Sequence, residues 1–303
     1  MRNIIRNQKT TWIDITKPTR QDMDYLKDQY HFHHMVLEQL IPRSYYPRLE
    51  VGSDYLFLIV NYPTYYEINH DVLPREVDII LTKEVIVTNH LRPLPLLENL
   101  FKVCQRPEIE GEKYLEKGPG FILFSILNIF WRDCLVKLDK LNDEIEKIER
   151  KIFQGKEKDM VMQISHTKTD IIDFWRIVEP QYEIMRLLEK EGPKFFGQDL
   201  ALYFSDALGT YEKVWQNLKA HKETIFALEK TNQSLLTTKT NEIIKILTVF
   251  SIITLPLVVW SSVWGMNVGL PFSGHKAGFW IVISLMFASM AFMFLYFRKK
   301  RWL

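Results

Sequence analysis

Residues Ile246–Trp264 read ILTVFSIITLPLVVWSSVW, nineteen positions without a charge, and Ala277–Phe297 read AGFWIVISLMFASMAFMFLYF, twenty-one more. As α-helices these runs are each roughly 30 Å long, which matches the hydrocarbon core of a bilayer. A soluble domain can bury one such helix. Two in succession, followed at once by Arg298, Lys299, Lys300 and Arg301, are poorly suited to burial and predict a transmembrane hairpin. Lys239 and Lys245 precede the first span, whereas the connection Gly265–Lys276 carries only Lys276 and His275 as potential positive charges. The positive-inside rule then places both chain ends in the cytoplasm and the connection outside; the expected location of the hairpin is the plasma membrane.

Outside the hairpin the chain is ordinary in composition. Its 39 basic and 37 acidic residues leave a net charge of +2 over 303 residues, which argues against a nucleic-acid partner held by bulk charge. The mean hydropathy of −0.11 averages two unlike regions. Cys104 and Cys134 are the only cysteines, so neither a disulfide framework nor a CxxC metal site is expected. Met1–Gln8 is charged and lacks the apolar stretch of a cleaved signal peptide.

The first 108 residues alternate short strand and helix patterns. Asn3–Thr16 predicts one or two strands, Thr19–Tyr30 a helix with Asp22 and Asp24 in its first turns, and His34–Leu40 a second short helix. Tyr55–Tyr62 is a nearly continuous apolar run. Val77–Thr82 and Val85–Asn89 are β-branched runs joined by Lys83 and Glu84, the pattern of a hairpin. From about Gly120 the pattern turns helical. Leu138, Leu141, Ile145, Ile148 and Ile152 form a heptad seam that needs a partner. Ile164, Ile171, Phe174 and Ile177 continue it up to Pro180, where a kink is expected. Tyr211, Val214, Leu218, His221, Ile225 and Leu228 repeat the same steps in a third segment.

Between Gln198 and Trp264 the only proline is Pro256 and the only glycine Gly209, which predicts one helix of about 65 residues and roughly 100 Å running into the first span. On it Asn241, Ile244, Leu247, Ser251, Leu255, Val258 and Ser262 share a face, with Thr248 adjacent. This face admits two readings. Small and hydroxylated residues allow close helix packing. Alternatively, several copies surround a pore in which apolar rings gate by dewetting and polar rings hold a hydrated ion.

Directly after this span come Gly265, Met266 and Asn267. Gly-Met-Asn at that place resembles the signature of the CorA family of divalent-cation channels. Asn241–Thr248 (NEIIKILT) resembles the family's approach to its pore helix, and Lys299–Leu303 (KKRWL) its basic tail. Weaker similarity runs through His33–Leu40, Pro47–Glu50 and Val77–Thr82, so the resemblance covers essentially the whole chain. It implies an α+β cytosolic domain of the α/β-sandwich type, a long helical stalk and two transmembrane helices, assembled as a funnel-shaped homopentamer. The corresponding boundaries are residues 1–108, 109–242 and 243–303, with spans at about 246–264 and 277–297, an external loop at 265–276 and a tail at 298–303. By the same resemblance Mg²⁺ is both the transported and the regulatory ion. Gly265, Met266 and Asn267 form the external filter, Asn241 a polar ring, Ile244, Leu247 and Leu255 the hydrophobic gate, and Thr248 and Ser251 polar positions between. Asp206 matches a regulatory metal-binding aspartate. Its usual partner falls near Tyr66, with Glu67 and Asp71 as substitutes.

The chemistry suits magnesium, which sheds water reluctantly and is held more readily through its hydration shell than by stripping it. Inward flow needs no fuel, because a divalent ion gains about 4.6 kcal/mol per 100 mV of inside-negative potential. Two departures bear on selectivity: the connection Val268–Lys276 has no acidic residue, and Trp264 stands where relatives commonly carry Tyr. Other candidates are weaker. His31, His33 and His34 with Glu38 read as surface or packing residues. Gly192–Gly197 is followed by Gln198 and Asp199, so it lacks the Lys and Ser/Thr of a phosphate loop. No nucleophile, base and orienting acid stand out, so neither an enzyme nor an organic cofactor is expected. The alternatives are a Zn²⁺, Co²⁺ or Ni²⁺ transporter of the same superfamily, and a membrane-anchored coiled-coil scaffold or sensor.

Overall fold

The structure, a computed structural model, describes residues 2–41, 46–66, 71–106, 114–266, 269, 277–300 and 302, the side chains of Tyr66 and Asp71 excepted. The chain divides into two compact units, residues 1–229 and 230–303.

The first unit is built on a six-stranded mixed sheet. The strands are β1 (Arg2–Arg6), β2 (Thr11–Thr16), β3 (Arg48–Val51), β4 (Leu56–Tyr66), β5 (Asp71–Leu81) and β6 (Val85–His90), in the order β1-β2-β6-β5-β4-β3. Only β2 and β6 run parallel, Ile13 beside Val87 and Ile15 beside Asn89; every other pair is antiparallel. Alternation along the strands separates two faces. Ile13, Ile15, Phe57, Ile59, Ile80 and Val87 pack with Leu26, Val36 and Leu37 of the two short helices α1 (Arg20–Tyr30) and α2 (His34–Leu37), and with Leu40 of the 3₁₀ turn Glu38–Leu40 that follows α2. On the other face Trp12 meets Phe101 edge to face at 5.0 Å, and Tyr62 stacks on Phe130 at 4.7 Å. These partners belong to α3 (Pro95–Gln105) and α4 (Pro119–Phe153).

The local signals explain the elements. Thr19 caps α1 by accepting from the Asp22 amide, and the Asp22 carboxylate accepts from the Thr19 amide in return. His31 closes the same helix at φ 54°, a left-handed conformation. The β5–β6 turn is the expected one: Thr82 N–H donates to Val85 O at 2.8 Å, and Leu81 pairs with Ile86. One result differs from the sequence reading. The antiparallel pair β4–β5 runs eleven residues on each strand, past the predicted Tyr62 and beginning before Val77. Pro63 and Pro74 lie opposite each other in its far half, beyond the registers of β3 and β6. Prolines are tolerated there because no further strand needs their amides.

The helical part continues with α5 (Glu157–Val178), α6 (Tyr182–Phe196), α7 (Ala201–Trp264) and α8 (Gly278–Lys299). Pro180 does more than kink its helix: it sits in a single 3₁₀ turn, Glu179–Gln181, that separates α5 from α6. The three heptad segments are one another's partners. Leu138, Leu141, Ile145, Ile148 and Ile152 of α4, Ile164, Ile171, Phe174 and Ile177 of α5, and Tyr211, Val214, Leu218, Ile225 and Leu228 of α7 are all buried. Polar contacts set their register: Tyr211 OH donates to Val178 O at 2.7 Å, His221 Nε2 lies 3.1 Å from Leu138 O, and Lys168 pairs with Glu229 at 2.7 Å.

The second unit contains the later turns of α7 and all of α8. As expected, α7 is unbroken for 64 residues, with Pro256 inside it. Both helices contain a stretch apolar and long enough to cross a membrane.

Candidate functional site

The α7 span has two faces. Val249 is buried, and Ile252, Ile253, Pro256, Leu257, Trp260 and Val263 are partly covered, at helical steps of one face. Opposite them Asn241, Ile244, Leu247, Thr248, Ser251, Leu255, Val258 and Ser262 are all exposed. The spacing inferred from sequence thus brings these eight residues onto one open face. Exposure alone does not single them out, since Ile243, Ile246 and Phe250 are exposed as well. Their distinction is the hydroxyl and amide chemistry interleaved with large apolar groups.

The hydroxyl geometry carries chemical information. Thr248 Oγ1 donates to Ile244 O at 2.8 Å, and Ser251 Oγ donates to Leu247 O at 2.9 Å. This back-bonding satisfies the hydroxyl proton inside the helix. What remains on the open face is lone pairs. The first-shell waters of a cation point their protons outward, so a wall of acceptors matches a hydrated cation and offers little to a hydrated anion.

At the far end α7 closes in a last turn, with Gly265 N–H donating to Ser261 O at 2.9 Å and Met266 N–H to Val263 O at 3.3 Å. A Cβ on Gly265 would lie 3.1 Å from the Ser261 carbonyl oxygen, tighter than ordinary contact. Met266 is exposed; Asn267 lies outside the described residues. Trp260 and Trp264 stand 5.5 Å apart at this end, aromatic rings of the kind that sit at a membrane interface.

The candidate regulatory residues are less assembled. Asp206 is exposed on α7 between the buried Phe204 and Ala207, and no ion pair forms to it among the described residues. Asp71 opens β5 opposite Tyr66, and Glu67 lies outside the described residues. No group of three or more His, Cys, Asp or Glu among the described residues is arranged to hold a metal. A divalent ion at Asp206 therefore needs donors from elsewhere. The three neighbouring histidines have local roles: His31 closes α1, His33 Nδ1 accepts from the Met35 amide at 3.3 Å, and His34 pairs with Glu38 at 3.5 Å. Gly192 lies inside α6, where a Cβ would sit 2.8 Å from Phe204, so that glycine serves helix packing.

The sequence reading missed a buried polar cluster. Asp14 in β2 accepts from Thr88 Oγ1 at 2.6 Å and lies 3.2 Å from His90 Nε2, while His90 Nδ1 is 2.7 Å from Arg92 O. Trp12 Nε1 donates to Thr88 Oγ1 at 3.1 Å. Burial disfavours the charged form of His90, but the hydrogen bond and charge of Asp14 outweigh it, aided by the Arg92 carbonyl and Glu98, and the pKa is raised. The available signal was Asp14 itself, a charge inside the apolar strand TWIDIT. On the same face Tyr62 OH donates to Asp133, and Lys137 reaches Asp133 at 2.8 Å.

A mixed-sheet domain, a long helix that becomes an apolar span and a second apolar span following it in sequence define a two-span membrane protein with an acceptor-lined helix face. Residues 7–299 match the family of the CorA-like Mg²⁺ transporter protein, and the chain belongs to that family of divalent-cation transporters. It is 25% identical over 296 residues to the cobalt/magnesium transport protein CorA of Thermotoga maritima, covering 97% of this chain and 83% of that one. The complete structure of the CorA magnesium transporter from Methanocaldococcus jannaschii superposes with a TM-score of 0.82 at 23% identity, over 99% of this chain and 93% of that one. The full-length CmaX protein follows with a TM-score of 0.77 at 17% identity, over 98% and 90%. These two likenesses establish the fold.

Proposed function

We propose that this chain forms a homopentameric channel that admits Mg²⁺ to the cell down the membrane potential. The plasma membrane holds the 243–303 hairpin, and both termini are cytoplasmic. The observation that carries the reading is the open face of α7, where back-bonded Thr248 and Ser251 present acceptors between Ile244, Leu247 and Leu255. Five such faces around an axis make alternating rings: Asn241 at the cytosolic mouth, a dewetting constriction at the aliphatic positions, and hydrated-ion sites at the hydroxyls. Gly265, Met266 and Asn267 form the outer filter, whose carbonyl and amide oxygens accept from the ion's water shell without stripping it. Asp206, with Glu67 or Asp71 from an adjoining cytosolic domain, binds Mg²⁺ and holds the pathway shut when the ion is abundant inside.

The relative from Thermotoga is described as a cobalt/magnesium transport protein, which keeps Co²⁺ as a second cargo. Reconstitution into proteoliposomes tests the function. Mg²⁺ influx should rise with inside-negative potential, and Asn267→Ala should abolish it while leaving assembly intact. Undiminished influx through Asn267→Ala overturns the filter assignment.

A further inference from the structure

The inner border of the hairpin carries more charge than topology requires. Between Lys239 and Lys245, and again from Arg298 to Arg301, stand six basic side chains against one carboxylate, Glu242. Arg298, Lys299 and Lys300 are exposed, and none has a carboxylate partner among the described residues. The chain then folds back on α8. Trp302 N–H donates to Phe297 O at 3.1 Å, and its ring lies 5.8 Å from the Phe297 ring, with Tyr296 a further exposed aromatic beside it. Rings and cations are thereby gathered at the depth where a span leaves the hydrocarbon, the place at which aromatic residues take headgroup level.

We propose that this border is a binding surface for anionic phospholipid headgroups. The like charges of the exposed Arg298, Lys299 and Lys300 repel within a Debye length, and phosphate is the counter-charge that a membrane supplies there. Zwitterionic headgroups neutralise nothing in net terms. The surface matters to transport because a divalent cation leaving the proposed pore must pass this collar. Bound anionic lipid lowers the repulsion it meets. The inference rests on the proposed topology, but its test reads lipid binding alone, so a failure of the conduction reading leaves the outcome interpretable.

The full-length protein is purified from mixed micelles of phosphatidylcholine with a minor fraction of phosphatidylglycerol, and the co-purifying lipid is quantified by mass spectrometry. Each basic side chain at an anionic surface contributes about fivefold in affinity. The wild type should enrich phosphatidylglycerol over its micellar fraction. R298Q/K299Q/K300Q should lose at least about fivefold of that enrichment, while the charge-preserving R298K/K299R/K300R retains it and shows that folding is intact. Equal enrichment in wild type and the glutamine variant overturns the proposal. So does displacement of the lipid by excess inorganic phosphate, which would make this a site for free phosphate.

Discussion

His90 and Asp14 offer the sharpest test of the head domain, because their geometry and the raised His90 pKa point to the same charge state. Both ring nitrogens face acceptors, Arg92 O at 2.7 Å and Asp14 Oδ1 at 3.2 Å. A neutral imidazole can donate to only one of them, so the arrangement is that of an imidazolium. The two side chains are 1% and 3% exposed. Removing one partner of a buried pair costs about 3–5 kcal/mol, since the other is left charged and unpaired. Asp14→Asn should destabilise the head by that order, and His90→Gln by less, because Thr88 still donates to Asp14. The pH dependence follows from the raised pKa. A group whose folded pKa exceeds its unfolded value contributes stability that is fully present below the unfolded value, about 6.5, and lost as pH rises through the folded one. Hydrogen exchange on the full-length protein, corrected for intrinsic rates, should therefore show protection of residues 11–16 and 85–90 falling as pH rises above about 6.5. In His90→Gln that fall should vanish. The same decline in both proteins would refute the imidazolium.

Three further outcomes are expected. Leu247→Ala or Leu255→Ala widens the apolar constriction and should raise leak at high internal Mg²⁺ in a liposome flux assay; unchanged leak argues against gating by dewetting. Asp206→Ala should weaken the protection that Mg²⁺ gives the head against protease, and an identical digestion pattern removes Asp206 from the regulatory site. Leu138 is fully buried in the α4 seam, so Leu138→Ala should cost about 2–5 kcal/mol in a denaturant titration; a cost well below that range would deny the seam its place in the core.

Much of the fold was legible because its signals are local or periodic. The two charge-free runs, the heptad steps of α4, α5 and α7, and the absence of breakers between Gln198 and Trp264 are each visible in a window of a few turns. The less visible features depend on distant partners. The parallel pairing of β2 with β6 joins segments some seventy residues apart. The far half of the β4–β5 pair, where Pro63 lies opposite Pro74, falls outside the strands that the sequence predicts, because its place beyond the neighbouring strands is set by the sheet and not by local sequence. His90 and Asp14 look unremarkable apart, and their pairing emerges only from the strand register that sets Asp14 beside Thr88. At the candidate site, spacing sufficed to place Asn241 to Ser262 on one face, because helix geometry converts steps of 3 and 4 into a stripe. The back-bonding of Thr248 and Ser251, which turns hydroxyls into acceptors, needed coordinates.

The central claim is that the open face of α7 meets water within the membrane, and cysteine accessibility tests it most directly. Single cysteines are placed along 241–262 of the membrane-embedded protein and treated with a small charged thiol reagent. Native Cys104 and Cys134 are buried, and burial pushes the Cys104 thiol up to about 12 and that of Cys134 higher still, so neither competes. Positions 244, 248, 251, 255 and 258 should react, and 249, 252, 253 and 256 should not. Reaction at neither set, or equally at both, would contradict a water-filled path along this helix.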